Sequence, residues 1–395
     1  MPARAHLLPA ALLLAALALT PLGAATLPGE RAAAVAGLVP LTDLGTVNNE
    51  WNVAYDINNA GQIVGVVGGR RITSLALWDG GALTRLPHRN EPQDFPKINE
   101  AGDIIVATDI GFPVVHALFV PGGDISAAVV LPNPLGNNDV HVSDLNDAGQ
   151  VVGFVDDRHG EEQAVVWTDG VPTVLSPPET EHSEAHAINE LGQIVGSTYE
   201  GKGAAYRATF WDADGEVLRL PVPNNAWSEA YDINDAGVIV GEADDLPVAW
   251  INGEYIPLPM LGGSEGSAFQ VNEAGQIIGW GTDSEGNAHM LTWVDGEVID
   301  LGEGGLCVDI NEAGQIICNA IASQYSADPT DRAYVWQDGE TFELAPFPRE
   351  DAWNAPSLRV WAINDDGVIV GRSDLDDPDA WSSKPKSRAV SWQAP

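Results

Sequence analysis

Val53-Ala54-Tyr55-Asp56-Ile57-Asn58-Asn59-Ala60-Gly61-Gln62-Ile63-Val64-Gly65 is one of eight versions of a single phrase in this chain of 395 residues. Its fixed points are an Asn and a Gly three residues later. The Asn recurs at Asn58, Asn99, Asn146, Asn189, Asn234, Asn272, Asn311 and Asn364. The residues on either side are apolar and strand-like, and Asn-x-x-Gly between them is turn chemistry: the Asn side chain caps its own backbone and Gly accepts positive φ. Further on, each copy has an aromatic (Trp78, Phe119, Trp167, Trp211, Trp250, Trp293, Trp336 or Trp392), followed in most copies by a hairpin signal such as Asp79-Gly80, Asp169-Gly170 or Asp295-Gly296. The second copy has Gly122-Gly123 in that place. Two hairpins make four strands per copy. A step of 38 to 53 residues between successive Asn matches a four-stranded propeller blade and exceeds a β-solenoid coil.

The two ends of the chain predict how the array closes. The eighth copy stops at Ala389-Val390-Ser391-Trp392 with three strands made. Leu38-Val39-Pro40-Leu41-Thr42-Asp43-Leu44-Gly45 resembles the fourth strand of the fifth copy, Tyr255 to Gly262. The expected architecture is therefore all-β: a closed eight-bladed β-propeller of four-stranded antiparallel blades over residues 37–393, its last blade completed by the N-terminal strand. No sheet edge is then left at a seam. Strands one and two, with their Ala and Gly columns, are expected nearest the axis. The connections of variable length, from strand two to three and from strand four to the next blade, emerge on one face, where a site would be built.

Ahead of the repeats, Arg4 and His6, the apolar run Leu7 to Leu19 and Gly23-Ala24-Ala25 have the layout of a secretory signal over 1–25, with a linker over 26–36. The apolar run is too short to span a bilayer, and no cysteine follows the leader to carry a lipid. A secreted, periplasmic or cell-surface monomer without membrane span or lipid anchor is expected. A net charge of −39 excludes nucleic acid as a partner and leaves a glycan, peptide or protein ligand, or a divalent cation. The bland reading of that charge is solubility, in a saline habitat or otherwise.

The composite pattern Asp-Ile-Asn-x-x-Gly-x-Ile-Val-Gly, seen at Asp56 to Gly65, Asp144 to Gly153 and Asp232 to Gly241, is followed by Arg/His-Ala and an aromatic. Examples are His116-Ala117-Leu118-Phe119, Arg207-Ala208-Thr209-Phe210-Trp211 and Arg388-Ala389-Val390-Ser391-Trp392. Together they resemble the bacterial extracellular repeat family named HAF after its His-Ala-Phe motif. This chain departs from it in having no literal His-Ala-Phe, and in replacing the Asp by Lys97, Ala187, Gln270 and Ala362. The resemblance, from about Leu38 to Trp392, implies a secreted or surface repeat protein and carries no reaction or ligand.

Candidate sites are few. Cys307 and Cys318, the only cysteines, flank the seventh hairpin, and an oxidising compartment favours a structural disulfide between them. They face each other if the turn is symmetric and are offset by one if it is bulged. His182 and His186 have the spacing of a metal pair on a helix, but they run into a strand and read as strand residues. The acidic stretches Asp374 to Asp379, Asp156-Asp157 with Glu161-Glu162, and Asp283 to Asn287 lack EF-hand spacing. They read as solvated loops, with calcium as the alternative and no other cofactor implied. Trp51 and Trp227, each seven residues before its Asn, with Tyr55, Tyr231 and Trp361 in the column three before the Asn, form a candidate ligand platform; the column residues also suit packing between blades. No catalytic residue is identifiable. The expected function is a non-catalytic binding module acting through the variable-loop face. The alternative is a propeller hydrolase or lyase using acidic residues, with or without calcium.

Overall fold

The computed structural model describes residues 35–45, 50–68, 73–86, 95–109, 115–136, 139–177, 180–320, 332–347, 358–375 and 386–395. The leader, most of the linker, Trp353, Trp381 and the acidic stretch from Asp376 to Asp379 lie outside them. The described residues form eight sheets, seven built on four consecutive antiparallel strands of one repeat and the eighth on three, and contain three short 3₁₀ turns but no α-helix. Blades are numbered here by their Asn, so blade one holds Asn58 and blade eight Asn364.

The closing strand is shorter than expected, and its neighbour makes a second connection. Leu41–Asp43 pairs antiparallel with the last strand, Leu41 opposite Trp392 and Asp43 opposite Val390. Val35–Val39 instead lies parallel to Glu340–Leu344 as a fifth strand on blade seven. Pro40 divides the two: it lacks an N–H and fixes φ, so the chain turns there from one blade to the next. One segment thus bridges the last two blades.

The second hairpins follow their turn residues. Asp169-Gly170, Asn252-Gly253, Asp295-Gly296 and Asp338-Gly339 have positive φ at both positions, the two-residue turn matching strand twist. In blade one Asp79 pairs with Ala82, which moves the turn to Gly80-Gly81. In blade two Gly122-Gly123 opens a longer connection through two 3₁₀ turns before Val129–Leu131. The repeat Trp side chains fill the spaces between blades: Trp167, Trp211, Trp250, Trp293 and Trp392 are fully buried, and Trp78 nearly so. Each of those five donates its indole N–H to a carbonyl following strand four of the preceding blade, for example Trp293 to Pro259 at 2.7 Å and Trp392 to Ala345 at 2.9 Å.

The repeated Asn does more than cap its turn. Its Oδ1 accepts the N–H four residues on, and its Nδ2 donates to the Asn carbonyl of the following blade. The chain of Nδ2 bonds runs through all eight blades and closes when Asn364 donates to the Asn58 carbonyl at 3.1 Å. A second closed ring lies one residue further on. The backbone N–H of residues 59, 100, 147, 190, 235, 273, 312 and 365 each donates to the side chain of the next, Asp365 returning to Asn59. Seven of those side chains are carboxylates, so part of the acidity caps turns. Asn234→Asp should cost about 2–3 kcal/mol. The acceptor for Val238 N–H survives, but the donor to the Asn272 carbonyl is replaced by an oxygen facing an oxygen. An unchanged urea midpoint for this variant would show that the ring is incidental.

Candidate functional site

The site begins with a β-bulge. In every blade except the second, where strand one is only Lys97–Ile98, the pairing of strand one with strand two skips the residue three before the Asn. Ala54 faces Gly65 and Asp56 faces Val64, leaving Tyr55 unpaired; Ala230 faces Gly241 and Asp232 faces Val240, leaving Tyr231 unpaired. Regular alternation would send neighbouring side chains to opposite faces, and the bulge lets two successive ones reach the axis. It also explains the Gly column, since a Cβ on Gly65 or Gly241 would overlap the Val53 or Glu229 carbonyl oxygen. In blade seven that column holds Cys318. The bulge falls between Cys307 and Asp309, so the two cysteines stay directly opposite and are joined by a disulfide.

The bulged pairs converge on an axial cavity of about 460 Å³. Tyr55, Phe95, His186, Tyr231, Phe269 and Trp361 contribute its ring-bearing walls, and the residues two before each Asn form a second tier towards the turns. Tyr55 packs on Phe95 at 4.8 Å and edge-on to Trp361 at 5.1 Å, while His186 and Tyr231 stack at 5.9 Å.

The second tier alternates. Odd blades supply Asp56, Asp144, Asp232 and Asp309; even blades supply Lys97, Ala187, Gln270 and Ala362. Each Asp uses one carboxylate oxygen to accept a backbone N–H from the next blade: Ile98, Ile188, Val271 and Ile363 donate at 2.8–3.0 Å. Two even-blade side chains reach the Asp that follows them, Lys97 Nζ to Asp144 at 3.0 Å and Gln270 Nε2 to Asp309 at 2.6 Å. The two alanines cannot, so among the described residues Asp56 and Asp232 have only backbone donors.

Electrostatics follow from this count. Burial pushes the Asp56 carboxyl up to about 7, against the Ile98 N–H and Lys97, which pull it down. Asp232 rises to about 7 through burial and Asp144, and Asp309, helped by the Ile363 N–H and Gln270, rises only to about 6. Lys97 loses hydration by burial, yet Asp144, Asp56 and Asp232 together hold its ammonium above the usual range. The cavity leaves 45% of that side chain accessible. His186 is likewise held above its usual value. Burial opposes its charge, and Glu184 at 3.3 Å, the Ala230 carbonyl at 2.8 Å and Glu229 outweigh it. Tyr231 donates to Glu229 at 3.0 Å, and burial with that carboxylate raises its phenol.

The sequence-derived platform is divided by the structure. Tyr55, Tyr231 and Trp361 line the axial cavity. Trp51 and Trp227 are half-buried and are not among its lining residues; Trp51 lies across from Gly68, and the Trp227 carbonyl accepts the Asp244 N–H. The histidines sit on one strand, His182–Ile188, with His186 alone in the cavity. Among the described residues, no group of three His, Cys, Asp or Glu side chains is arranged to hold a metal ion. Asp157 and Asp283 each accept backbone N–H groups of their own turns. A larger depression of about 730 Å³ lies beside Glu200, Arg207 and Arg219, but its charges are already used. Arg219 pairs with Glu200, and Arg207 donates to the Ala226 carbonyl. No helix among the described residues is long and apolar enough to cross a membrane.

No protein-family model and no curated protein sequence matches this chain. Among solved structures, it is similar to a prolyl endopeptidase at a TM-score of 0.53 and 11% identity, covering 83% of this chain and 55% of that one. It is also similar to a mutant puromycin hydrolase complexed with PGG, at a TM-score of 0.52 and 13% identity, covering 83% and 59%. This chain therefore spans little more than half the length of either. At these identities the likeness shows the propeller fold. Against the expectation of a non-catalytic binding module, both of these similar structures are those of hydrolytic enzymes.

Proposed function

We propose that this chain is a hydrolase, or the propeller part of one, that acts on peptide-like substrates admitted to the axial cavity. The observation that carries this reading is Asp232. Its carboxyl is pushed up to about 7 by burial, accepts only backbone N–H groups among the described residues, and belongs to an aromatic-walled cavity with His186 and Tyr231. A group with that pKa serves as general base and then general acid at neutral pH. As carboxylate it takes a proton from water while the oxygen adds to the carbonyl carbon. As carboxylic acid it returns that proton to the departing nitrogen, so the C–N bond breaks as C–O and N–H bonds form. The fold likeness to peptidases supports an amide as the bond cleaved. The leader-like residues 1–25 support export to the periplasm or beyond, and the HAF-like motifs agree with that setting.

A panel of peptide, ester and glycoside substrates, run with and without calcium between pH 5 and 8, tests this. Peptide cleavage should have a kcat/KM that rises with pH and levels off above about 7, and Asp232→Asn should lower it at least about 100-fold. Absence of peptide cleavage under every condition, or full activity in that variant, removes the reading.

A further inference from the structure

We infer that the axial cavity takes its ligand by a primary ammonium group, seated against Asp56 over Ala362, in the place where blade two seats Lys97 against Asp144. The inference deepens the peptidase reading and rests on it for the word substrate, but the binding itself stands apart from catalysis.

The repeat supplies its own precedent. At the position two before the Asn, blade two sends Lys97 to Asp144 of the following blade, and blade six sends Gln270 to Asp309 in the same relation. Blades four and eight have Ala187 and Ala362 there, so the same carboxylate geometry recurs without the side chain that fills it. Lys97 shows what such a place accepts: an ammonium 3.0 Å from the carboxylate oxygen.

The two vacated places differ in their walls. Beside Ala187 stands His186, whose imidazole is biased towards its charged form by Glu184 and Glu229 and so disfavours a second cation. Beside Ala362 stand Trp361 and Tyr55, edge to face at 5.1 Å, and the Arg372 guanidinium, 5.9 Å from the Trp361 ring centroid, is not among the residues lining the cavity. Aromatic faces beside a carboxylate suit an alkylammonium, whose charge pairs with the acid while its methylenes lie on the rings. The tier holds four carboxyls and one lysine, so an added positive charge also relieves repulsion among them. A lysine side chain or the free amino end of a peptide has this chemistry.

The test is binding of n-butylammonium to the full chain, followed by calorimetry and tryptophan fluorescence, with n-butanol as the neutral probe. Saturable one-to-one binding of the amine and none of the alcohol is expected. Ala362→Lys, which supplies the missing ammonium from within, should weaken amine binding at least tenfold. Val171→Lys, on an exposed outer strand away from the cavity, should leave it within about threefold. Far-ultraviolet circular dichroism confirms that both variants fold; if Ala362→Lys does not, Ala362→Leu fills the same space and should have the same effect. No amine binding, or equal binding by wild type and the Ala362 variants, overturns the inference. Amine binding with no peptide cleavage leaves it standing while removing the hydrolase reading, and peptide cleavage without amine binding does the reverse.

Discussion

Raising the pH from 5 to 8 should weaken this fold, on the order of 5 kcal/mol in all, with most of the loss complete by pH 7. The sign follows from three buried carboxyls. Asp56 and Asp232 titrate at about 7 and Asp309 at about 6 in the folded chain, against 3.8 when exposed. Between pH 4 and 7 the unfolded chain has released these protons while the folded chain still holds them, so the folded state binds more protons and its stability falls as pH rises. Each displacement of about three units corresponds to at most about 4 kcal/mol. The three groups share Lys97, and a charge on one discourages charge on the next, so the sum is smaller than three independent terms. Asp283, held down to about 2 by Asn287, has its own transition well below this window. Urea midpoints at pH 5, 6, 7 and 8 measure the effect. Replacing Asp56 and Asp232 together by Asn should flatten the slope whatever it does to stability at pH 5. A wild-type midpoint that is level or rises over this range would mean that the ring carboxyls ionise freely.

Much of the frame was legible because its signals are local. Asn-x-x-Gly and Asp-Gly each specify a turn within four residues, and the aromatic after them marks the strand that packs against the next blade. The Asn ring was only half visible: its capping role is local, whereas its inter-blade bond joins residues 38 to 53 positions apart. A signal existed in the identity itself. An Asp caps a turn as well, yet none of the eight copies uses one, and only an amide can accept at home and donate to its neighbour. The cavity was less legible. Tyr55 and Asp56 are adjacent, and strand alternation sends one of them away from the axis; only the bulge, whose one residue signature is the Gly across from it, allows both. The alternation of Asp56, Asp144, Asp232 and Asp309 with Lys97, Ala187, Gln270 and Ala362 was present as departures from the motif, but its meaning depends on a ring that brings distant residues together. The same gap leaves no catalytic residue identifiable from sequence alone. Trp51 and Trp227 join the platform by position alone; Trp51 opens its strand, Trp227 precedes its own, and neither lines the cavity.

Trp293→Ala should cost about 3–5 kcal/mol, because the indole it removes is the largest piece of the packing between blades five and six. Trp293 is buried to 1% exposure in a cluster with Val240, Ala249, Leu258, Ala268 and Leu291, which come from both blades. Its N–H holds the Pro259 carbonyl at 2.7 Å, so truncation leaves a cavity and an unpaired acceptor together. The same bond recurs from Trp167, Trp211, Trp250 and Trp392, so the effect belongs to the frame and not to one blade. Trp293→Phe retains part of the volume and loses the donor, and should cost about 1–2 kcal/mol. Trp51→Ala is the contrast: the ring is half-buried over Gly68, so its removal should cost less than about 1.5 kcal/mol. Urea unfolding of the three variants ranks them directly. A ring of blades unfolds as cooperatively as its weakest seam allows, so Trp293→Ala should also lower the slope of the transition if that seam opens first. Equal losses from Trp51→Ala and Trp293→Ala would contradict the division between frame tryptophans and loop-face tryptophans.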